Sequence, residues 1–434
     1  MRSKIGIKVV VCALGFLAVL GARQSAGQFN PQACGNVFYY SMMHGALLMG
    51  DWSLDRGRRL FVAALSQANV SGAKVSREDM IACIKVAGRS GIYAAYTDMG
   101  NIYKAAKRYK EAIESYQRAA DKGDSDAMVQ LGIMYNNGMG VAEDSNKALK
   151  YFEKASFKGN ADGIVNLGLM YERGWGVKQD YVKAMEYYQK AKGENGNLIP
   201  VANWNIGLLY ANGQGVKKDY AEAVKYFIEA NSDDAYNALG VIYENGGYGV
   251  TQDDDKASDY YSKGAKAGNE KAKENLVRFL NALAKKYANG QGVERDYSRV
   301  FKIYQKLIDA GDANAYVEIG LIYKEGRGLS VQKDTQKALE YFQKGVDNGS
   351  AWASTNLGDM YKEGQGVVQD YQEALKYYKK GIKGGNYEAY AGLGSLYAKG
   401  LGVARDMQKA QIYYKKACQH GLKNACTALK QISK

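Results

Sequence analysis

The stretch LGLMYERGWGVKQDYVKAMEYYQKA (residues 167–191) holds the pattern that decides the fold. Two glycines enclose Trp175, Asp180 follows three residues after Val177, and alanines and paired tyrosines then recur at helical spacing. By itself, GWGV could be taken for a nucleotide-binding loop. Such a site needs a strand before the glycines and a single specialised loop, and the sequence predicts neither, so a nucleotide site is rejected.

The glycine loop is repeated along the chain with a basic period of 36 residues. Eight loops begin at Gly138, Gly174, Gly213, Gly247, Gly290, Gly326, Gly364 and Gly400. Before each loop, a pattern such as Ala-x3-Leu-Gly-x2-Tyr (127–135) places alanine, leucine and tyrosine on one helical face. After the loop comes a second such face, as in Ala184, Tyr187 and Tyr188. Each repeat is therefore predicted to be a helix, a glycine turn and a second helix.

Each recurring residue type has a mechanical explanation. The loop glycines are expected to adopt positive φ, and the glycine after leucine to let two helices approach closely. An aspartate after each loop is predicted to cap the second helix, and Asp219 and Asp370 are followed three residues later by Glu222 and Glu373. The tyrosine pairs are interpreted as packing between helices rather than as a ligand-stacking surface.

Together, Ala-x3-Leu-Gly-x2-Tyr, Gly-x-Gly-Val-x2-Asp and Lys-Ala-x2-Tyr-Tyr-x-Lys-Ala resemble the Sel-one-like repeat family, a relative of the tetratricopeptide repeats. The resemblance covers eight repeats over 127–424, preceded by a tetratricopeptide-like repeat (95–126) and followed by a C-terminal capping helix (425–434). It implies an all-α, right-handed α/α superhelical solenoid that binds other proteins and does not catalyse a reaction. The fifth repeat departs from the pattern, because its leucine motif is read at Leu276 and its tyrosine, Tyr287, comes seven residues late.

The N-terminal 27 residues are typical of a secretory signal peptide. Arg2, Lys4 and Lys8 precede a 14-residue apolar run, and small residues precede a cleavage site after Gly27. The run falls short of the roughly 20 residues that span a bilayer, so no stable membrane insertion is expected. A periplasmic or secreted location is predicted, with an adaptor of the endoplasmic reticulum as the alternative if the source is eukaryotic. Residues 28–94 have no repeat and are predicted to form a helical N-terminal cap.

Composition limits the other classes of function. The chain of 434 residues is 46% hydrophobic, which favours a folded protein, and its formal net charge is +14. No long run of basic residues concentrates that charge, so no nucleic-acid partner is expected. With two histidines and no CxxC spacing, no metal site or cofactor is expected either. No catalytic set of side chains is apparent, and a monomer that binds a protein or peptide is predicted.

The cysteines fit export. Cys34, Cys83, Cys418 and Cys426 remain after signal cleavage, and as two disulfides they allow three pairings. The last repeat, YYKKACQHGLKNAC (413–426), is similar to the Helicobacter cysteine-rich proteins. That resemblance implies a Cys418–Cys426 bond across the turn between two helices, which leaves Cys34 to pair with Cys83.

The cysteine-rich proteins also suggest an alternative function, since penicillin binding and β-lactamase activity have been reported for them. Ser71-Gly-Ala-Lys74 and Ser330-Val-Gln-Lys333 match the SxxK pattern of that chemistry. KTG and SDN, which accompany SxxK in those enzymes, are absent from the sequence. The non-enzymatic interpretation is therefore preferred.

The family resemblance also implies where a partner binds, because the first helices of such repeats line the concave side. Positions three before the leucine-linked glycine, and one, four and five after it, vary from repeat to repeat. The hypothesis is a groove that contains Trp204, Trp352, Arg173, Asn212 and Asn245. The competing interpretation is that both tryptophans fill space in the core.

Peptide mapping without reduction tests the cysteine pairing. We expect one disulfide-linked peptide that joins Cys418 to Cys426, because the bond ties down the C-terminal half-repeat, and one that joins Cys34 to Cys83. A peptide that joins Cys34 to Cys418 would show that the pairing is wrong.

Overall fold

The computed structural model describes residues 93–327 and 332–432, and every regular element in these ranges is an α-helix. The predicted signal peptide, nearly all of the predicted cap, Cys34, Cys83, Ser71 and Ser330 lie outside the described residues. The chain divides into two compact units, Met1–Ala230 and Asn231–Lys434. Within each unit, consecutive helices pack as antiparallel-type pairs, which confirms the predicted all-α solenoid of helix-turn-helix repeats.

The described part of the first unit begins with one helix pair before the glycine-loop repeats. Its helices are α1 (Ala94–Ala105), α2 (Tyr109–Ala120), α3 (Ser125–Asn136), α4 (Ser145–Phe157), α5 (Ala161–Arg173), α6 (Tyr181–Lys190), α7 (Pro200–Asn212) and α8 (Tyr220–Ala230). The pair α1 and α2 corresponds to the predicted tetratricopeptide-like repeat.

The second unit continues the alternation of first and second helices and ends on a single one. Its described helices are α9 (Asp233–Asn245), α10 (Asp254–Lys266), α11 (Glu270–Asn289), α12 (Tyr297–Asp309), α13 (Asn314–Glu325), α14 (Thr335–Asp347), α15 (Ala351–Glu363), α16 (Tyr371–Lys383), α17 (Glu388–Lys399), α18 (Met407–Gln419) and α19 (Lys423–Ile432).

The glycine loop is closed by bonds local to each repeat. In the second repeat, Gly174 and Gly176 have φ of 74° and 67°, values that glycine adopts without steric cost. The backbone N–H of Asp180 then donates to the carbonyl of Tyr171 (2.9 Å), while its carboxylate accepts from the N–H groups of Val182 and Lys183. The loop therefore ends one helix and caps the next.

The predicted aspartate caps are confirmed. In every glycine-loop repeat, the carboxylate accepts a backbone N–H in the first turn of the second helix: Asp144, Asp180, Asp219, Asp253, Asp296, Asp334, Asp370 and Asp406. The carboxylates of Glu222 and Glu373 do not reach back to the caps. They pair instead with Lys225 and Lys376 in the next turn.

In every repeat except the fifth, a glycine in the first helix lies against an aromatic ring of the second helix. A Cβ added at Gly168 would lie 2.5 Å from the ring of Tyr188, which is fully buried. The same contact joins Gly132 to Phe152 and Gly207 to Phe227. The prediction that these glycines allow close helix packing is confirmed.

The other tyrosine of each pair stacks between the two helices at the edge of the repeat. Tyr171 and Tyr187 have ring centroids 5.5 Å apart and nearly parallel planes, and the ammonium of Lys183 lies 5.2 Å from the Tyr171 centroid. Equivalent pairs are Tyr135–Tyr151, Tyr210–Tyr226, Tyr243–Tyr260, Tyr323–Tyr341, Tyr361–Tyr377 and Tyr397–Tyr413. The tyrosine pairs therefore serve inter-helix packing, as predicted.

The fifth repeat corrects one detail of the sequence interpretation. The Asp296 N–H donates to the carbonyl of Tyr287. The same loop-closing bond occurs in the other seven glycine-loop repeats, so Tyr287 occupies the position of their tyrosines. The leucine motif is therefore Leu283-Ala284, and assigning it to Leu276 was wrong. Ala284 is buried where the other repeats have glycine. Leu276 lies about two turns earlier on the same buried face of the 20-residue helix α11.

Replacing Gly168 with alanine tests the glycine–aromatic contact. The new methyl group would overlap the Tyr188 ring and force the two helices apart, at a cost of about 1–3 kcal/mol. We expect Gly168→Ala to lower the melting temperature measured by circular dichroism. Gly193→Ala is the control, because its Cβ would meet ordinary contact distances of 3.4 Å or more and its φ is not positive. Equal melting temperatures for both variants would contradict the importance of the contact.

Candidate protein-interaction surface

The positions three before and one after the packing glycine are four residues apart, so they share one face of the first helix. In the three glycine-loop repeats of the first unit this face is apolar, whereas on α1 the same positions are Thr97 and Asn101. Its residues are Val129 and Ile133 on α3, Val165 and Leu169 on α5, and Trp204 and Leu208 on α7. The two valines are buried, whereas the other four side chains are half-buried and keep part of their apolar surface accessible.

Trp204 is anchored within its own repeat. Its ring centroid lies 5.2 Å from that of Phe227, at an interplanar angle of 42°, and Phe227 is the aromatic residue that packs on Gly207. The indole is half-buried, so one part of it contacts the core and another part is accessible. The structure thus gives Trp204 a packing role without removing it from the surface.

In the second unit the same positions are more polar. They are Asn237 and Val241 on α9, Val317 and Leu321 on α13, Thr355 and Asp359 on α15, and Ala391 and Ser395 on α17. Trp352 lies near the beginning of α15 and is half-buried against the cluster that contains Phe342 and Val346. The two units therefore present surfaces of different chemistry.

The three polar candidates lie at or near the C-terminal ends of first helices and are exposed. Arg173 pairs with Glu172 at 3.3 Å, the Asn212 amide donates to Gln214, and the Asn245 amide donates to the Val241 carbonyl at 2.8 Å. Trp204, Arg173 and Asn212 belong to the first unit, whereas Trp352 and Asn245 belong to the second. The five residues therefore form two sets, one in each unit. Their role in binding stays a prediction.

Sequence reasoning missed a set of polar clusters on the first-helix face. In the first unit, the Tyr188 hydroxyl donates to Glu172 at 2.8 Å, and Glu172 also pairs with Arg173. In the second unit, the Tyr261 hydroxyl donates to Glu244 at 2.5 Å, and Arg278 holds Glu244 through two bonds of 2.8 and 2.7 Å.

Burial raises the pKa of the Tyr261 hydroxyl well above its ordinary value. Burial by itself would raise the pKa of the Glu244 carboxyl too, but the bonds from Arg278 and Tyr261 outweigh it and lower that pKa. Glu244 is therefore held as a carboxylate that accepts from both neighbours.

A third cluster joins α15 and α16. The Tyr378 hydroxyl donates to Asp359 at 2.5 Å, and the ammonium of Lys362 lies 2.8 Å from the same carboxylate. Burial would lower the pKa of Lys362, but Asp359 and Glu363 outweigh it and raise that pKa. The cluster is thus a compensated group of charges that helps to fix the helix pair.

A signal for these clusters is present in the sequence. Where the first helix carries a carboxylate one or four residues after the packing glycine, the buried aromatic residue is tyrosine: Glu172 with Tyr188, Glu244 with Tyr261, and Asp359 with Tyr378. Where neither position is acidic, phenylalanine occurs at 152, 227 and 342, or the tyrosine hydroxyl finds another partner: Tyr116 bonds to Asn101, Tyr304 to Glu318 and Tyr414 to Ser395. A buried hydroxyl needs an acceptor, which explains the correlation.

Two searches of residues 93–327 and 332–432 bear on other kinds of site. No group of three or more His, Cys, Asp or Glu side chains there is arranged to hold a metal ion. None of the helices in those ranges combines the length and hydropathy needed to cross a bilayer.

The sequence matches the family model of the Sel1 repeat eight times, over more than half of the chain. The matched segments are 125–160, 161–192, 200–232, 233–269, 278–312, 313–350, 353–386 and 388–422. The chain belongs to the Sel1 repeat family. A tetratricopeptide repeat model matches 95–128, in agreement with the interpretation of the segment before the Sel1 repeats.

Solved structures of Sel1 repeat proteins are among those similar to this chain. A protective antigen of uropathogenic Escherichia coli with an SLR fold is 26% identical over 95% of this chain and 90% of its own, with a TM-score of 0.43. A Sel1 repeat protein from Oxalobacter formigenes is 25% identical over 74% of this chain and 89% of its own, also with a TM-score of 0.43. No curated protein matches the chain. The repeat matches, rather than these superpositions, carry the family assignment.

A Helicobacter cysteine-rich protein is also among the similar solved structures. Helicobacter pylori cysteine-rich protein B is 25% identical over 32% of this chain and 99% of its own, with a TM-score of 0.26. In the present chain, Cys418 on α18 and Cys426 on α19 lie at disulfide-bonding distance, with Cα atoms 4.7 Å apart. Their oxidation in the cell stays a prediction.

Glu318 on α13 provides a test of the buried polar groups. It accepts a hydrogen bond from Tyr304, and Arg327, Lys285 and Asp312 are its other charged neighbours. Burial raises the pKa of the Glu318 carboxyl despite that bond and the positive charges. Ionising Glu318 therefore costs the folded state more than the unfolded state. The resulting destabilisation is absent below the ordinary carboxyl pKa of about 4.3 and grows as the pH rises through the raised value.

We therefore expect Glu318→Gln to raise the melting temperature at neutral pH and to leave it unchanged near pH 4, since glutamine still accepts from Tyr304. Thermal unfolding at both pH values measures the difference. Glu340→Gln, at an exposed position on α14, is the control and should change neither value. A lower melting temperature for Glu318→Gln at neutral pH would contradict the assignment of a costly buried charge.

Proposed function

We propose that the chain is an exported, non-enzymatic scaffold that binds a partner protein through the first-helix face of its first unit. Sel1 repeat solenoids are typically scaffolds for protein interaction. One observation supports the specific surface: the buried residues recur from repeat to repeat, whereas the positions one and five after the packing glycine vary and are all at least partly accessible. Of the positions three before it, Trp204 is accessible in the first unit, whereas Val129 and Val165 are buried. Side chains released from the packing constraint are available for recognition.

The chemistry of the surface suggests the form of the partner segment. Ile133, Leu169, Trp204 and Leu208 form an apolar row across three successive repeats, with Arg173 and Asn212 exposed in the same unit. Neighbouring packed helices are about 8–10 Å apart, and a polyproline II segment advances about 9 Å per turn of three residues. An extended peptide with an apolar side chain at every third position would match the row. Trp204 would be its anchor, as large aromatic residues often are at interfaces.

Export and the lack of catalysis are parts of the same proposal. Export is supported by the basic and apolar pattern of residues 1–27 and by the even number of cysteines after it. The non-enzymatic part is supported by the family and by the role of the recurring carboxylates as helix caps. Hydrolysis of nitrocefin by the purified chain, abolished by Ser71→Ala or Ser330→Ala, would overturn it in favour of the β-lactamase alternative.

The binding surface is tested by crosslinking the full mature chain in the envelope fraction of its source and identifying attached polypeptides by mass spectrometry. We expect Trp204→Ala to reduce the yield of the principal partner at least about tenfold, which corresponds to the loss of an interface anchor. Trp352→Ala tests the second unit in the same way. Trp175→Ala is the matched control, because Trp175 is an exposed tryptophan in a glycine loop.

Stability must be separated from binding in this experiment, since Trp204 also packs on Phe227. Trp204→Phe keeps an aromatic contact and should preserve the melting temperature while still weakening capture. If Trp204→Ala lowers the melting temperature and capture is unchanged, the tryptophan is a core residue and the surface assignment is wrong.

A further inference from the structure

Positive charge is concentrated at one end of the second unit. Residues 371–432 contain eleven lysine and arginine residues and three aspartate and glutamate residues, so their formal net charge is +8. The formal net charge of the whole chain is +14. More than half of the net charge therefore lies in α16 to α19 and their loops. A repeat scaffold does not require this asymmetry, because the lysines that contact tyrosine rings occur in most repeats.

The lysines of α16 define an outward face. Lys376, Lys379 and Lys383 are exposed and spaced at i, i+3 and i+7, which places them along one side of the helix. The opposite side is buried through Ala374, Tyr378 and Gly381. The same register on α18 carries Ile412 and Lys415, both exposed. Both helices pack against α17, so they are the second helices of successive repeats in the same unit.

We name the set Lys376, Lys379, Lys383, Ile412 and Lys415 the basic outer patch. The positions on the preceding second helix, α14, that correspond to Lys376, Lys379 and Lys383 are Glu340, Gln343 and Asp347, without a lysine. The patch therefore begins abruptly at α16. Its charge is not a general property of second helices in this chain.

Most of the charge in the basic outer patch is uncompensated. Lys376 pairs with Glu373 at 3.1 Å. Lys379, Lys383 and Lys415 form no ion pair with any of the residues that the structure describes. Three exposed ammonium groups on one face produce a local positive potential that attracts an anionic surface.

Ile412 adds a second, independent feature. Its side chain is 53% exposed, although it lies on a helix whose buried face already holds Ala410, Tyr414 and Ala417. It occupies the register of Lys376 on α16, so an apolar group stands within the row of lysines. An apolar side chain surrounded by lysines is typical of helices that rest on an anionic bilayer, where the lysines contact phosphates and the apolar group enters the headgroup region.

We propose that the basic outer patch docks the protein onto a bilayer that contains anionic phospholipids. Lysine without arginine suits diffuse contact with many headgroups, whereas recognition of nucleic acid or of individual carboxylates favours the planar guanidinium of arginine. The exposed isoleucine side chain can also enter the headgroup region of a bilayer, whereas the phosphate backbone of a nucleic acid offers it no apolar contact. This surface is carried by second helices and is independent of the first-helix face assigned to the partner protein.

Co-sedimentation with vesicles tests the proposal on the full mature chain. We expect binding to vesicles of phosphatidylcholine with roughly one-third phosphatidylglycerol at low salt, little binding to pure phosphatidylcholine, and release at about 0.5 M NaCl. The triple variant Lys379→Gln, Lys383→Gln, Lys415→Gln should bind on the order of 100-fold more weakly, at about fivefold for each lysine.

Two further variants separate the patch from net charge. The triple variant Lys150→Gln, Lys154→Gln, Lys158→Gln removes the same charge from exposed positions at α4 in the first unit and should keep nearly full affinity. Ile412→Ser leaves the charge unchanged and should weaken vesicle binding roughly fivefold.

Several outcomes would overturn the proposal. These are no binding to the anionic vesicles at low salt, equal losses in the two triple variants, and tighter binding to a single-stranded oligonucleotide than to the vesicles. A patch variant that changes the oligomeric state without lipid would assign the surface to a second copy of the chain. Unchanged melting temperatures in the patch variants ensure that a loss of binding is not a loss of folding.

Discussion

The contact between a glycine of the first helix and an aromatic ring of the second is the constraint on which the rest of each repeat depends. With no Cβ at Gly168, the Tyr188 ring lies directly against the backbone of α5. The ring is thereby buried, and its hydroxyl donates to Glu172, which lies one turn after Gly168 on the same side of the first helix. The same closeness brings the tyrosines at the edge of the pair into stacking distance. The burial of the ring, the hydrogen bond of its hydroxyl and the stacking of the two outer tyrosines thus all follow from the absence of a side chain at Gly168.

The fifth repeat shows how that constraint can be relaxed. Ala284 replaces the glycine, and the Tyr304 hydroxyl bonds to Glu318 of the next repeat instead of to its own first helix. This is also where the sequence was misread, because a long helix with leucines at several suitable positions permits more than one register. The bond from Asp296 to the Tyr287 carbonyl decides between them. The sequence holds the same information, since Tyr287 precedes Gly290 by three residues, as Tyr171 precedes Gly174. The loop is therefore a better reference for the register than the leucines.

The repeated parts of the molecule were predictable for a physical reason. Positive φ at Gly174, capping by Asp180 and the burial of Tyr188 each depend on residues within one repeat, so eight copies report the same local requirement. The Arg278–Glu244 pair and the placement of Trp204 against Phe227 depend on single residues and on side-chain conformations that no repetition reveals. The variable positions could be located from the sequence, but their contacts required the structure.

The loop-closing bond between the aspartate N–H and the tyrosine carbonyl has a consequence for the origin of the chain. In the first glycine-loop repeat it joins Asp144 to Tyr135, and in the last it joins Asp406 to Tyr397, so its span never leaves the repeat. Such a low contact order lets folding begin at any repeat and spread to its neighbours. A duplicated gene segment that encodes one repeat would therefore include both partners of its loop-closing bond. The array could gain a repeat without changes to the loops of the existing repeats.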